Sequence, residues 1–451
     1  MKIEKPKEWS LLVDEVMEKY SPDELFQQMD QFKPIDEKGR YLHWDELRRR
    51  RDRYKKPDLA WLSIKSARRQ ISKNIPLKDI DGKPFSLCIP DSLQCLLHQI
   101  DKMAGGNISA VDSGIVNKDT QHRYLVQSLI MEEAITSAQL EGAATTRKVA
   151  KEMLETERAP RNKSERMILN NYRMMRSAVN AKGLPLSPEL ILNLHEIATD
   201  GAIDNDAEPG MFRQSDDIVV RYDGETVFTP PPAKTITKRI TELCEFAAKD
   251  HSNAEADEFI HPVVKATILH FMIGYIHPFG DGNGRAARAL FYWFMLKSGY
   301  WLFEYISISQ LLRKAPAQYV KSYVYTETDD QDMTYFIDYQ IHIIHRAINE
   351  LIAYLKEKQQ SYYDFMTLLE DSGFKSTLQP RQLDILKKAC REPGRIFKAT
   401  VIKNEYSVSL NTARSDLEKI AKLKFLVQFK EGRELLYVAP SDLLEKITRS
   451  K

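Results

Sequence analysis

Nine consecutive residues, His277-Pro278-Phe279-Gly280-Asp281-Gly282-Asn283-Gly284-Arg285, bring a base, an acid, an amide, a cation and several glycines together. Gly282 and Gly284 lack a Cβ, so the chain can bend sharply there and its backbone can come close to a ligand. A helix is expected to open near Gly284. Its unpaired N–H groups and positive dipole end would then face into the loop, an arrangement that binds phosphate. Arg285 in that first turn opposes the dipole and so costs stability, but it offers a two-pronged donor for phosphate oxygens. Asp281 is a hard oxygen ligand of the kind that shares Mg²⁺ with phosphates. His277 titrates near neutrality and suits a general base. Together these residues point to a deprotonating hydroxyl attacking a metal-held phosphate. Each fragment has a bland reading: a histidine after an apolar helix is often a core residue, and Asp-Gly-Asn-Gly is often a turn. The combination at a helix start favours chemistry.

Such a loop needs rigid mounts. Pro262 to Ile276 is apolar nearly all round, which predicts a buried central helix running into His277. Ala286 to Leu296 is again apolar and helical, and Phe279 is expected to point into the core and pin the loop. Further helices are predicted from Gln121 onward, with Leu125, Leu129, Ala134 and Ile135 at helical spacing, and over Lys163–Ala181. Ser187 and Pro188 predict an N-cap and first helical residue. The β-branched runs Ile218-Val219-Val220-Arg221-Tyr222 and Thr226-Val227-Phe228 flank Asp223-Gly224-Glu225 and predict a hairpin.

Toward the ends of the chain the patterns change. Residues 1–115 read as a helical region with an arginine-rich helix face around Asp45–Arg53, a solvated surface or a contact for nucleic acid or an acidic partner. Asp81-Gly82 and Gly105-Gly106 are its turn signals. A middle domain is expected over 116–375. From 376 to 451 three helices (Arg381–Arg391, Thr400–Tyr406, Asn411–Leu423) precede two strands, Phe425–Phe429 and Leu435–Val438, joined at Glu431-Gly432-Arg433. That order predicts a winged helix-turn-helix, with Ser409 capping the third helix and Asn411, Thr412, Arg414 and Lys419 on or near its open face. Residues 380–451 hold 16 Lys/Arg against 9 Asp/Glu, an excess of +7 in a chain whose formal net charge is +2. The chain as a whole is thus no polyanion binder, and this module is expected to contact duplex DNA or, as winged helices also do, another protein. Cys88, Cys95, Cys244 and Cys390 show no metal-ligand spacing, and no apolar run could cross a bilayer. The expectation is a reduced, cytoplasmic protein without a membrane partner.

The stretch His277 to Arg288 closely resembles the signature of the Fic domain family, HPFxDGNGRxxR, with every fixed position matched. The resemblance extends to His261-Pro262-Val263-Val264-Lys265-Ala266 and to Pro209-Gly210-Met211-Phe212-Arg213, over roughly residues 121–350. It implies a mainly α fold: an all-helical core with a β-hairpin flap, beside the helical N-terminal region and the C-terminal winged helix. It also implies AMP transfer from ATP with Mg²⁺ to a Ser, Thr or Tyr hydroxyl of a target protein. On this resemblance His277 is the base, Asp281 the metal ligand, and the loop backbone at Gly282 and Gly284 an anion cradle. Asn283 and Arg285 would hold the α- and β-phosphates and Arg288 the γ-phosphate. Tyr319 and Tyr323 would lie beside the adenine. The hairpin, with Ile218, Val219 and Val220, would align an extended piece of target by strand pairing.

Ser137-Ala138-Gln139-Leu140-Glu141-Gly142 resembles the family's inhibitory helix. Ser137 and Glu141 are four apart and share a helix face. The resemblance implies that Glu141 pairs with Arg288 and displaces the γ-phosphate. Competing readings are phosphocholine or phosphoryl transfer on the same scaffold, removal of AMP, or a transcription regulator whose core senses nucleotide. Self-association as a homodimer stays open.

Overall fold

The computed structural model describes residues 3–29, 33–105, 120–203, 208–253, 255–371, 377–431 and 434–449. It is mainly helical, with three small antiparallel sheets. Two compact units form. One joins residues 1–107, 133–144 and 162–348, and the other joins 108–132, 145–161 and 349–451. The N-terminal region and the loop-bearing helices, given separate boundaries above, are therefore parts of one unit. The expected boundary near residue 115, the Gly106 turn and the side chains of Leu125 and Leu129 fall outside the described residues.

The first unit is built around two helices, Pro262–Ile276 and Asn283–Lys297, which pack along each other on either side of the nine-residue loop. Pro262–Ile276 buries Val264, Ile268, Phe271 and Ile276 on all sides, as its sequence requires. Helices Lys163–Asn180 and Pro188–Thr199 pack against each other and against Asn283–Lys297. Ser187 caps the latter of the pair by accepting from Leu190 N–H at 3.2 Å, with Pro188 at its first position.

The N-terminal region departs from an all-helical reading. Helix Pro57–Ile71 runs straight into a hairpin, Ser72–Lys78 with Pro84–Cys88, turned at Asp81-Gly82. Ile75 and Leu77 alternate with exposed neighbours, a strand signal that Pro76 between them obscures. The arginine-rich stretch is not one helix face either. Only Trp44–Leu47 is helical, and the cations fold back onto local carboxylates: Arg48 and Arg49 onto Asp45, and Arg53 onto Glu37. A buried ion pair, Lys65 Nζ to Asp329 at 2.8 Å, holds Pro57–Ile71 to the turn after helix Pro316–Thr328. Tyr335 donates to the same carboxylate at 2.6 Å, so the buried charge is hydrogen-bonded as well as paired.

The middle hairpin is Val220–Tyr222 with Glu225–Phe228. Asp223 and Gly224 both have positive φ, 52° and 78°, the backbone that tight two-residue hairpin turns demand. Ile218 and Val219, expected in the first strand, lie before the paired segment, and only Val220 is in the ladder.

In the second unit helices Pro380–Arg391, Ala399–Tyr406 and Leu410–Lys422 pack with strands Val427–Glu431 and Glu434–Val438. Ser409 caps the third helix by accepting from Thr412 N–H at 3.1 Å. Two elements exceed the sequence reading. Strand Ile396–Lys398 makes a third member of the sheet beside Glu434–Val438, and helix Leu443–Arg449 closes the chain. Leu386, Phe397, Leu417, Tyr437 and Ile447 form the core. Gly432 and Arg433 of the expected turn lie outside the described residues.

Candidate active site

His277 ends the helix Pro262–Ile276 in a left-handed conformation, φ 48° and ψ 58°, with its N–H on Ile273 O at 3.0 Å. Histidine tolerates this region better than most residues, and here it swings the imidazole off the helix axis. The ring is half-buried. Nδ1 lies 3.3 Å from Gly274 O, a carbonyl that can only accept, so Nδ1 carries the proton and Nε2 keeps its lone pair. Burial pushes the imidazole down to about 4, which leaves it neutral and able to take a proton at physiological pH.

Pro278 and Phe279 turn the chain inward. Phe279 is wholly buried and stacks on His195, with ring centroids 3.6 Å apart. The chain then rises through Asp281 to Gly282, whose φ of 82° marks the N-cap of Asn283–Lys297. A Cβ on Gly282 would lie 2.9 Å from Thr199 Cγ2, so this position excludes a side chain on both counts. The first intrahelical bond is Ala286 N–H to Gly282 O at 3.0 Å. The amides of Asn283, Gly284 and Arg285 precede it and form the positive end of the helix.

Two residues expected to touch phosphate also hold the loop. Asn283 is buried, and its side chain closes the loop on itself: Oδ1 accepts from Phe279 N–H at 3.0 Å and Nδ2 donates to Phe279 O at 2.8 Å. Arg285 is fully buried, donating to Ala198 O at 2.8 Å and to Asp281 Oδ2 at 3.3 Å, while its Nε has no partner. Both side chains are engaged within the loop and on the neighbouring helix.

Asp281 is partly exposed, with Oδ1 on Gly282 N–H at 2.5 Å and Oδ2 toward Arg285. Among the described residues no three His, Cys, Asp or Glu gather into a metal cluster. A lone carboxylate beside a helix N-terminus fits a hard cation that arrives with phosphates rather than one held by a protein cage.

Above the loop sits the segment singled out at 137–142. Helix Thr120–Leu140 delivers Ser137 and, one residue past its end, Glu141. Arg288 is buried and held three times: Nε to Ser137 Oγ at 2.8 Å, Nη2 to Ser137 O at 3.3 Å, and Nη2 to Glu141 Oε1 at 2.8 Å. Glu141 Oε1 also lies directly over Gly284, where a Cβ would collide with it. A carboxylate therefore stands at the helix N-terminus, where an anion is best accommodated. Glu133, one turn earlier on the same helix, is buried and accepts from Ser307 Oγ at 2.7 Å and Ser309 Oγ at 2.5 Å, which fixes the helix in place.

Tyr319 and Tyr323 lie together against helix Pro262–Ile276. Tyr319 OH is 2.9 Å from His270 Nε2, Tyr323 lies along Phe271, and Gly274 is so close to Tyr323 that a Cβ would come within 2.5 Å of its hydroxyl. Their hydroxyls are thus turned toward the helix Pro262–Ile276. The hairpin reaches the same helix through Phe228, whose ring lies 5.2 Å from that of Tyr275.

Sequence reasoning passed over two supports of the loop. Arg213 donates from Nε to His277 O at 2.9 Å and from Nη2 to Pro231 O at 2.5 Å, tying the loop to the base of the hairpin. Its backbone N–H also bonds Pro278 O at 2.9 Å. His195 bonds Asp281 O at 2.8 Å. Arg213 stood inside a matched motif that gave it no role, and nothing in Leu194-His195-Glu196 marks a functional histidine.

The Fic/DOC family profile matches residues 185–295, narrower than the span of the resemblance. A protein adenylyltransferase Fic of Nematostella vectensis is 33% identical over 84 residues, 18% of this chain and 18% of that protein. Protein adenylyltransferase fic-1 of Caenorhabditis elegans is 30% identical over 115 residues, 26% of this chain and 20% of that one. The matched segments thus span about a fifth of these curated relatives. Among solved structures, a Fic family protein from Desulfovibrio desulfuricans superposes with a TM-score of 0.48 at 17% identity, over 78% of this chain and 96% of that one. A fragment of C. elegans Fic-1 gives 0.46 at 18% identity, over 59% and 73%. Through residues 185–295, with the loop from His277 to Arg285 near their C-terminal end, the chain carries a domain of the Fic/DOC family.

Proposed function

We propose that this chain transfers AMP from ATP to a hydroxyl of a protein side chain and that Glu141 holds the activity in check. The observation that carries the reading is the placement of Glu141, on Arg288 and against Gly284, over the N-terminus of the helix that follows a neutral His277. A carboxylate there occupies the place of a phosphate. When it leaves, the amides of Asn283, Gly284 and Arg285 and the guanidinium of Arg288 are the donors a triphosphate would meet. Asp281 would hold Mg²⁺ with the phosphates, and that cation would offset charge on the leaving group. His277 Nε2 accepts the proton of the attacking Ser, Thr or Tyr hydroxyl as its oxygen bonds the α-phosphorus. The bond from that phosphorus to the β-phosphate oxygen breaks and pyrophosphate departs. Asn283 and Arg285 hold the loop's shape through Phe279 and Ala198, and both stay candidates for holding the α- and β-phosphates. Tyr319 and Tyr323 line the base side, and the hairpin at Val220 offers an edge for the target strand.

His277→Ala is expected to abolish incorporation of α-labelled ATP into protein while ATP binding persists. Retained labelling would remove His277 from the base role. Label from γ-labelled ATP instead would convert the reading to phosphoryl transfer.

A second activity is favoured by one surface. Asn411, Arg414, Ser415, Glu418 and Lys422 are exposed along one side of helix Leu410–Lys422, in a region carrying the +7 excess, whereas Thr412 and Lys419, expected there, are half-buried. This side suits the groove of duplex DNA. The full chain should retard a duplex at low salt and lose it steeply as salt rises, and Arg414→Ala should weaken it. No retardation at low salt would end this reading.

A further inference from the structure

The loop rests on the last two turns of helix Pro188–Thr199, and each contact falls on a different loop residue. Ala198 O receives Arg285 Nη1 at 2.8 Å, and the Thr199 methyl packs where Gly282 leaves no room for a side chain. One turn earlier on the same helix stands His195, which is fully buried. Its Nδ1 lies 3.1 Å from Gly210 N–H and must accept, so the proton sits on Nε2, which donates to Asp281 O at 2.8 Å. Its ring lies parallel to that of Phe279. Both nitrogens and one ring face are thereby engaged, and the imidazole has a single orientation and a single tautomer.

We infer that His195 is a positioning residue that aims the Asp281 carboxylate by anchoring the carbonyl of the same residue. Asp281 Oδ1 is held by the adjacent Gly282 N–H and Oδ2 by Arg285 Nη2 at 3.3 Å, so the direction of the carboxylate is set by its own backbone together with the Arg285 guanidinium. His195 gives that backbone its one link to a neighbouring helix among the described residues. A plain packing role would need only the ring against Phe279. It would not need the donor nitrogen on the carbonyl, and this difference is testable. Groups that orient a metal ligand from behind typically affect metal affinity by about 10- to 100-fold when removed.

The inference rests on the reading that Asp281 meets a metal-bound nucleotide. Calorimetry of ATP binding with Mg²⁺, and with chelator in its place, is the direct test, in full-length protein carrying Glu141→Gly so that the site is open. In that background His195→Ala should weaken binding of ATP with Mg²⁺ by about 10- to 100-fold and leave metal-free ATP binding nearly unchanged. Glutamine can bring an amide N–H to the place of Nε2 and asparagine cannot, so His195→Gln should regain most of the loss and His195→Asn should not. If His195→Ala is too unstable to purify, the glutamine and asparagine variants compared at similar melting temperatures carry the test. Equal Mg²⁺ dependence in all variants, or no advantage of glutamine over asparagine, overturns the inference alone. Absence of Mg²⁺-dependent ATP binding in the Glu141→Gly parent overturns the functional reading and this inference with it.

Discussion

Replacing Glu141 by glycine removes one carboxylate from a site that otherwise keeps its geometry, because Ser137 continues to hold Arg288 through Nε and Nη2. Two unit charges about 4 Å apart at an effective dielectric near 20 interact by about 4 kcal/mol. The Glu141 side chain is 30% exposed, so water screens part of this, and about half, ~2 kcal/mol, is a reasonable net value. At ~1.4 kcal/mol per decade that is roughly a 30-fold change in how often a triphosphate occupies the productive position. The carboxylate over Gly284 adds a steric block that the electrostatic figure leaves out. Labelling from α-labelled ATP, read as self-modification of purified protein, should therefore rise at least 30-fold or so in Glu141→Gly. Glu141→Gln keeps the shape and loses the charge, and should fall between parent and glycine. The melting temperature of Glu141→Gly should drop, since Arg288 loses its buried counter-charge, and MgATP should restore it. A labelling rate equal to that of the parent, in folded protein that still binds ATP, refutes the brake. A glutamine variant as slow as the parent beside a fast glycine variant refutes the electrostatic account and leaves only the steric one.

Two other outcomes test the scaffold. Asn283→Ala strips two hydrogen bonds from the buried backbone of Phe279 and leaves both groups unsatisfied, so stability should fall by about 2–3 kcal/mol, measured by urea unfolding. Were Asn283 instead an exposed phosphate ligand, stability would hardly change and ATP affinity alone would suffer. Acid should also weaken the fold before it protonates most carboxylates. Burial holds His43, His195 and His277 down to about 4 and His270 to about 3. Between roughly pH 6.5 and 4 the unfolded chain binds protons that the folded one refuses, so stability is full above that window and declines as pH falls through it. Each such group contributes a slope of up to about 1.4 kcal/mol per pH unit. A urea midpoint unchanged from pH 7 to 5 would contradict these buried, neutral histidines.

The order of residues from His277 to Arg288 by itself marked the loop and the helix that opens from it, because its glycines, its helix start and its leading histidine are all local features. The all-round apolar stretch from Val263 to Ile276 likewise announced a buried helix, and Asp223-Gly224 announced its turn, since both depend on residues a few positions apart. The spacing of Ser137 and Glu141 placed them on one face. What each polar side chain bonds to was decided only by packing. Asn283 folds back onto Phe279, Arg285 finds Ala198 O, and Arg213 and His195 reach His277 and Asp281 from 64 and 86 residues away. Periodicity and turn rules extend over three or four residues. A hydrogen-bond partner, by contrast, is whichever carbonyl the assembled core brings within 3 Å or so, and buried groups must take one. For the same reason Pro76 hid a strand that the hairpin partner Pro84–Cys88 stabilises, and the arginines after Asp45 closed onto nearby acids instead of forming an open basic face.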